Sequence, residues 1–341
     1  MTVSIVTDSL SDLTGDLIGN IDITLVPLTV LFGHETYLDR VTISTDEFYH
    51  RLIYGDIWPT SSQPSPQDFA NTYDKLSEST NEILVINASS KLTGTYQSAI
   101  KGKDYMKAKK CRVAVIDSQT VAGGLGLIVY AAAREAQNCA NMDKLVEFTR
   151  KALKRSHFIV YLDTLKYLTK GGRIGKAQGL LGSVLSIKPI LNVKEGEMSP
   201  VTRVRSPVAG IAYLNNFRAS FKNIEAMSIE HTTSVESADE LAKLFSADYP
   251  EVPVLRSTVS SVLGVYVGPN AFAVAVLEAE KNNLMSVKIV TDSTADLSPN
   301  FTNDFGITMV PIYAFRSKEQ AGLKGISTED NLIDDDVFQR Q

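Results

Sequence analysis

Two short segments carry side-chain hydroxyls at places suited to holding an anion. In Trp58–Phe69, WPTSSQPSPQDF, the run Ser61, Ser62 and Gln63 sets three neutral hydrogen-bond donors side by side. Downstream, Ser65, Pro66 and Asp68 predict a helix start: a capping hydroxyl, proline at the first helical position and an acid in the first turn. Capping accounts for Ser65 and leaves Ser61–Gln63 unexplained, although a hydroxyl-rich loop is often only a loop. The second segment, Ala88–Ala99, reads ASSKLTGTYQSA and follows the strand-like run EILVIN. Gly94 lets a ligand approach the backbone without meeting a Cβ. A helix beginning near Thr95 turns its free N–H groups and positive end toward that ligand, and Thr93 adds a hydroxyl. The plainer reading of this segment is a polar helix cap.

Neutral donors beside a helix N-terminus suit a carboxylate better than a polyphosphate. The chain has no Gly-x-x-x-x-Gly-Lys-Ser/Thr loop, and Gly171-Gly172-Arg173 is not a dinucleotide fingerprint. Its four histidines, His34, His50, His157 and His231, form no His-Glu-x-x-His or comparable arrangement, and His231 reads as a surface or capped residue. Cys111 and Cys139 match no zinc spacing and read as reduced, buried thiols. No cofactor or metal is expected. The formal charge of −5 gives no basic field to gather nucleic acid. No stretch approaches the ~20 apolar residues of a membrane span, and a reducing cytoplasm fits the whole pattern.

The elements that must position these groups alternate. Val3–Thr7, Ile23–Leu31, Glu82–Ile86 and Cys111–Ile116 read as strands. Phe69, Tyr73 and Leu76 repeat at helical spacing, as do Met142, Leu145, Val146, Ala152 and Leu153. The alternation predicts a parallel sheet covered by helices, and in such sheets ligands sit at the carboxyl ends of strands. Gly123–Ala133 is small or apolar all round, so it is either central core or the wall of an apolar cavity. From about residue 157 a second α/β block follows, with strands near 157–163, 201–205, 224–230, 252–259 and 271–279 and an apolar run Leu180–Leu191. These readings divide the chain into an N-terminal α/β domain, 1–160, and a second α/β domain, 161–283, with the ligand between them.

Residues 286–341 form a third piece. Val3–Leu28 matches Val287–Ile312 with 12 of 26 positions identical and no gap. A fixed long offset predicts tandem duplication, here cut short after its opening strand, helix and strand. The acidic end, EDNLIDDD, reads as solvated or disordered.

Taken together and in order, VTDSLSDL at 6–13, TSSQPSP at 60–66, SSKLTGTYQSA at 89–99, LTKGGRIG at 168–175, KPIL at 188–191 and VGPN at 267–270 resemble the DegV family over about residues 1–282. That resemblance implies a two-domain α/β protein that binds a long-chain fatty acid in its interior. It also implies a partner, the ATP-binding subunit of a bacterial fatty acid kinase, to which the acyl carboxylate is presented. Carried over by position, Ser61 stands where the family commonly has threonine, and Thr93 where it commonly has serine. Ser62, Gly94 and Thr95 flank them, Arg173 matches the arginine of Gly-Gly-Arg-Ile, and Arg205 matches a basic position after a second-domain strand. One departure stands out: Tyr266-Val267-Gly268-Pro269-Asn270 replaces a common His-Thr-Gly-Pro-Gly. A phenol, with an ordinary pKa of ~10, cannot carry protons near neutrality as imidazole does.

Magnitudes separate binding from transfer. About fifteen buried methylenes contribute roughly 12 kcal/mol gross at ~0.8 each, whereas one head-group hydrogen bond contributes ~0.5–1.5 kcal/mol. Binding therefore tolerates such substitutions better than phosphoryl transfer, which depends on in-line positioning. The sequence thus predicts a lipid-binding carrier rather than an enzyme, its tail housed around Gly123–Ala133 and Leu180–Leu191. Catalysis by the chain itself would need a nucleophile or metal cluster that is not evident. A divergent lipid-binding or interaction paralogue that does not support phosphoryl transfer is the other reading, favoured by Tyr266 and the incomplete repeat.

Overall fold

Short β-branched runs separated by capped helices build the fold in chain order. The computed structural model describes residues 3–14, 21–138, 141–180, 187–280, 290–295, 297–298, 302 and 307–310. The first half holds β1 (Ser4–Asp8), β2 (Ile23–Val26), β3 (Thr29–Phe32), β4 (Glu35–Leu38), α1 (Thr45–Tyr54) and β5 (Thr60–Ser62). Then come α2 (Pro66–Leu76), β6 (Glu82–Asn87), α3 (Thr95–Tyr105), β7 (Arg112–Asp117), α4 (Ala122–Asn138) and α5 (Met142–Arg155). The second half holds β8 (Ser156–Tyr161), α6 (Lys166–Gly171), β9 (Lys188–Lys194), β10 (Glu197–Val204) and α7 (Pro207–Ala219). It continues with β11 (Ile224–His231), α8 (Val235–Asp248), β12 (Val254–Thr258), α9 (Ser261–Val267) and β13 (Phe272–Glu278).

The first half carries a wholly parallel sheet in the order β2-β1-β6-β7, covered by helices. A sheet in the order β10-β9-β8-β13-β11-β12 occupies the second half, antiparallel except where β11 meets β12. Mixed α/β architecture is thus present as the alternation predicts. Ser65 caps α2 with a reciprocal bond to Asp68, as its sequence requires.

One expected strand divides. Ile23–Leu31 is two strands that belong to different sheets, parted at Pro27, which has no N–H to give a ladder. The amide of Leu28 instead donates to Ser9 Oγ at 3.1 Å, fastening the crossing to the turn after β1. β3 then pairs with β4 and β5 in a small antiparallel sheet of order β4-β3-β5.

Helix α4 is buried on nearly every side and packs against strands of both large sheets. Its all-apolar character is that of a central core helix. Strand β8 is already a member of the second sheet, and all strands to β13 lie within one compact unit, Met1–Glu280.

Residues Lys281–Gln341 form a separate unit. Its β14 (Val290–Asp292) and β15 (Thr308–Val310) pair in parallel, Val290 opposite Thr308 and Asp292 opposite Val310. The first copy pairs Val6 with Thr24 and Asp8 with Val26, which is the same register at the repeat offset. Most of the rest of the unit, including EDNLIDDD, lies outside the described residues.

Candidate functional site

The small sheet and the start of α3 converge on one cavity. Ser61 lies on edge strand β5, opposite Val30 of β3, half-buried. Its Oγ is 2.7 Å from the Tyr266 hydroxyl, contributed by α9. Thr93 Oγ1 is 2.8 Å from Thr95 Oγ1 and accepts from the Thr95 amide at 3.3 Å. Gly94 caps α3 without a side chain, and its place explains its identity. A Cβ there would come within 2.6 Å of Gln63 Nε2. Gln63 in turn donates to Ser98 Oγ at 3.2 Å, so the two hydroxyl-bearing segments are bolted together across Gly94.

These groups rim a cavity of about 400 Å³, within the range of small-molecule sites. Ser61, Ser62, Gln63, Thr93, Arg173 and Tyr266 supply polar lining. Leu10, Leu28, Phe158, Val160, Val259, Val262 and Ala273 are among the apolar residues that wall it.

A buried ionic network sets the helix that bears Tyr266. Asp12, in the left-handed region at φ 53° after β1, accepts from the Ser260 amide at 2.8 Å and from Arg40 at 3.2 Å. Asp39 accepts from the Ser261 amide at 3.0 Å. Both carboxyls thus meet free amides at the N-terminus of α9. Burial raises the Asp12 pKa to about 7, with the Arg40 guanidinium and the Ser260 amide opposing it. Burial likewise raises Asp39 and Glu230 above the usual carboxylate range.

The model of the family described as "Uncharacterised protein, DegV family" matches residues 2–279. The chain belongs to the DegV family. A DegV domain-containing protein of Caldanaerobacter subterraneus subsp. tengcongensis is 34% identical over 276 residues, covering 80% of this chain and 97% of that protein. Among solved structures, a DegV family protein from Thermus thermophilus, described by its fatty acid binding, aligns at TM-score 0.73 with 28% identity. That match covers 82% of this chain and 100% of the other. DegV of Bacillus subtilis, described as a fatty acid binding protein, aligns at TM-score 0.74 with 25% identity over 82% and 100%.

Within this DegV chain the residues singled out in the sequence divide. Ser61, Ser62, Thr93, Arg173 and Tyr266 line one cavity, with Gly94 and Thr95 just behind Thr93. Arg173 bonds the carbonyls of Leu92 and Gly171 at 3.3 and 2.9 Å and stands 5.2 Å from the Tyr266 ring centre. Arg205 is exposed just past β10 and does not line the cavity.

The expected tail wall needs correction. Of α4 and its approach only Val121 and Ala122 face the cavity; the other small residues fill core between the sheets. Residues 181–186 of the run Leu180–Leu191 lie outside the described residues, and Ile190 and Leu191 pack in core clusters instead. Leu10, Phe158 and Val259 come from elements whose convergence no local pattern announces. His231 also differs from its expectation, being buried at the end of β11, where burial lowers its pKa.

Among the described residues no helix is long and apolar enough to cross a membrane.

Proposed function

We propose that this DegV chain is a cytoplasmic carrier that holds a long-chain fatty acid in the cavity and presents its carboxylate to a separate ATP-binding kinase subunit. The observation that carries the reading is the meeting of Ser61 and Thr93 at one apolar cavity. The Ser61 and Thr93 hydroxyls and the backbone at the start of α3 receive the carboxylate, while Leu10, Phe158, Val160 and their neighbours receive the tail. The solved relatives from Thermus thermophilus and Bacillus subtilis, both described as fatty acid binding, support it. An oxygen of the acyl carboxylate then takes the γ-phosphoryl group of ATP on the partner, with ADP leaving, and this chain supplies orientation rather than a nucleophile.

Native mass spectrometry of the purified protein is expected to show a retained acyl mass. A protein that stays empty after feeding with lipid overturns the reading.

A second reading, a lipid-binding paralogue that does not support phosphoryl transfer, is favoured by Tyr266. Its phenol occupies the hydrogen-bonding reach of Ser61 that a head group would use. Incubation with ATP and a fatty acid kinase subunit separates the two: lipid bound and phosphorylated, or bound only. Tyr266→His restores transfer if the phenol is the obstacle, and an unchanged null rate clears it.

A further inference from the structure

One carboxyl group interrupts the apolar lining. Glu230 is 1% exposed and walls the cavity together with Phe158, Val259 and Ala273. Strand alternation puts Ser228 and Glu230 on one face of β11, while Met227 and Ile229 enter the core on the other. Glu230 also borders a second void of about 10 Å³, shared with Ser11, Asp12 and Ser228, at the lower limit for a single water molecule. Ser11 Oγ, Asp12 Oδ2, Ser228 Oγ and Glu230 Oε2 are all buried without a hydrogen-bond donor or acceptor.

The helix opposite is shaped to admit this polar group. A Cβ on Gly123 would collide with Ser228 Oγ and lie 3.1 Å from Glu230 Cδ. Asp12 borders the same void, so two buried carboxyls lie on it. A chain meant only to bury methylenes gains nothing from a carboxyl at this place, since buried polar groups without partners are costly.

We propose that Glu230 makes the cavity selective for an acyl chain that carries a hydroxyl along its buried length over the unsubstituted chain. The inference rests on the fatty-acid reading above. A hydroxyl both donates and accepts, so it satisfies the Glu230 carboxyl whether or not that carboxyl holds a proton. A site with buried polar groups discriminates against the ligand that leaves them unpaired, far more than an apolar wall discriminates between similar tails.

The test is calorimetric titration of the delipidated full chain with hexadecanoic acid and with a series of monohydroxyhexadecanoic acids, the hydroxyl stepped from mid-chain to terminus. At least one positional isomer is expected to bind about tenfold tighter than hexadecanoic acid. Glu230→Met should erase that advantage, so that no positional isomer binds tighter than hexadecanoic acid. Glu230→Gln, which keeps hydrogen-bonding capacity, should retain part of it. A flat series in the unmodified protein overturns the proposal, whatever the variants do. So does an isomer preference that survives Glu230→Met. Failure of every acid to bind would instead remove the fatty-acid reading on which the selectivity rests.

Discussion

Ser61 and Tyr266 bring their hydroxyls to 2.7 Å across 205 residues of chain, joining the edge of the small sheet to the helix α9. Neither side chain is fully buried, and both line the cavity. The contact uses one of the two hydroxyl protons and leaves the other for an acceptor in the cavity.

Ser61→Ala tests how much of the function that contact bears. Loss of one head-group hydrogen bond contributes about 0.5–1.5 kcal/mol, so the fatty acid Kd should rise roughly two- to tenfold. Phosphorylation by a kinase subunit should fall further, because the acyl oxygen loses its fixed direction. Titration calorimetry and a single-turnover assay read the two effects separately. Equal losses in both would show that Ser61 serves binding alone.

Gly94→Ala should disturb the junction between the two hydroxyl segments. The new methyl meets the Gln63 amide, and overpacking of this sort costs about 1–3 kcal/mol. Gln63→Ala removes the obstacle, so the double variant should regain most of the lost stability in a urea melt. A double variant no better than Gly94→Ala would mean that the backbone at the start of α3, not Gln63, imposes the glycine.

Stability should respond to pH through the carboxyls behind α9. Asp12 rises from 3.8 to about 7 on folding, chiefly by burial. The native state therefore keeps a proton that the unfolded chain releases above about pH 4. That contribution is whole below about pH 4 and is lost as pH climbs through about 7, at a limiting slope of about 1.4 kcal/mol per pH unit. Glu230→Gln removes a second carboxyl that burial raises above the usual range, so the difference in unfolding free energy between the two proteins should vary as pH rises from about 4. Parallel curves across pH 4–7 would show that burial does not hold a proton on Glu230.

The sequence displayed local physics and concealed convergence. The cap at Ser65 and the helix start at Thr95 follow from residues within a turn of each other, and both form. The hydroxyls of Ser61 and Thr93 stand out because nothing local employs them. Pro27 was a visible break within Ile23–Leu31, but only sheet pairing shows that its two sides part company. The cavity wall was hidden for the same reason. Leu10, Phe158 and Val259 become neighbours through two sheets and a central helix, whereas Gly123–Ala133 suited either core or cavity wall and supplies mostly core. Glu230 gave no signal, since a glutamate in a strand ordinarily points to water. Its burial depends on which face of β11 meets α4.

The two copies of the Thr-Asp-Ser motif allow a comparison inside one chain. Asp8 and Asp292 each accept the amide two residues ahead, Leu10 at 3.0 Å and Thr294 at 2.9 Å. Asp8 is completely buried, and it accepts further bonds from Asn87 Nδ2 and the Ala88 amide, both at 2.9 Å. Those donors favour the ionised form, yet desolvation outweighs them and raises Asp8 to about 6. Asp292 feels almost no desolvation, so the Thr294 hydroxyl and amide lower its pKa below the ordinary value. Carboxyl ¹³C shifts followed through pH 2–8 should thus show identical motifs titrating on opposite sides of 3.8. For Asp8 the sign carries a consequence: its proton stabilises the fold most below about pH 4, and the contribution fades as pH rises through about 6. Coincident titration curves would mean that water reaches Asp8, and that β6 does not seal the end of β1 as the hydrogen bonds from Asn87 and Ala88 require.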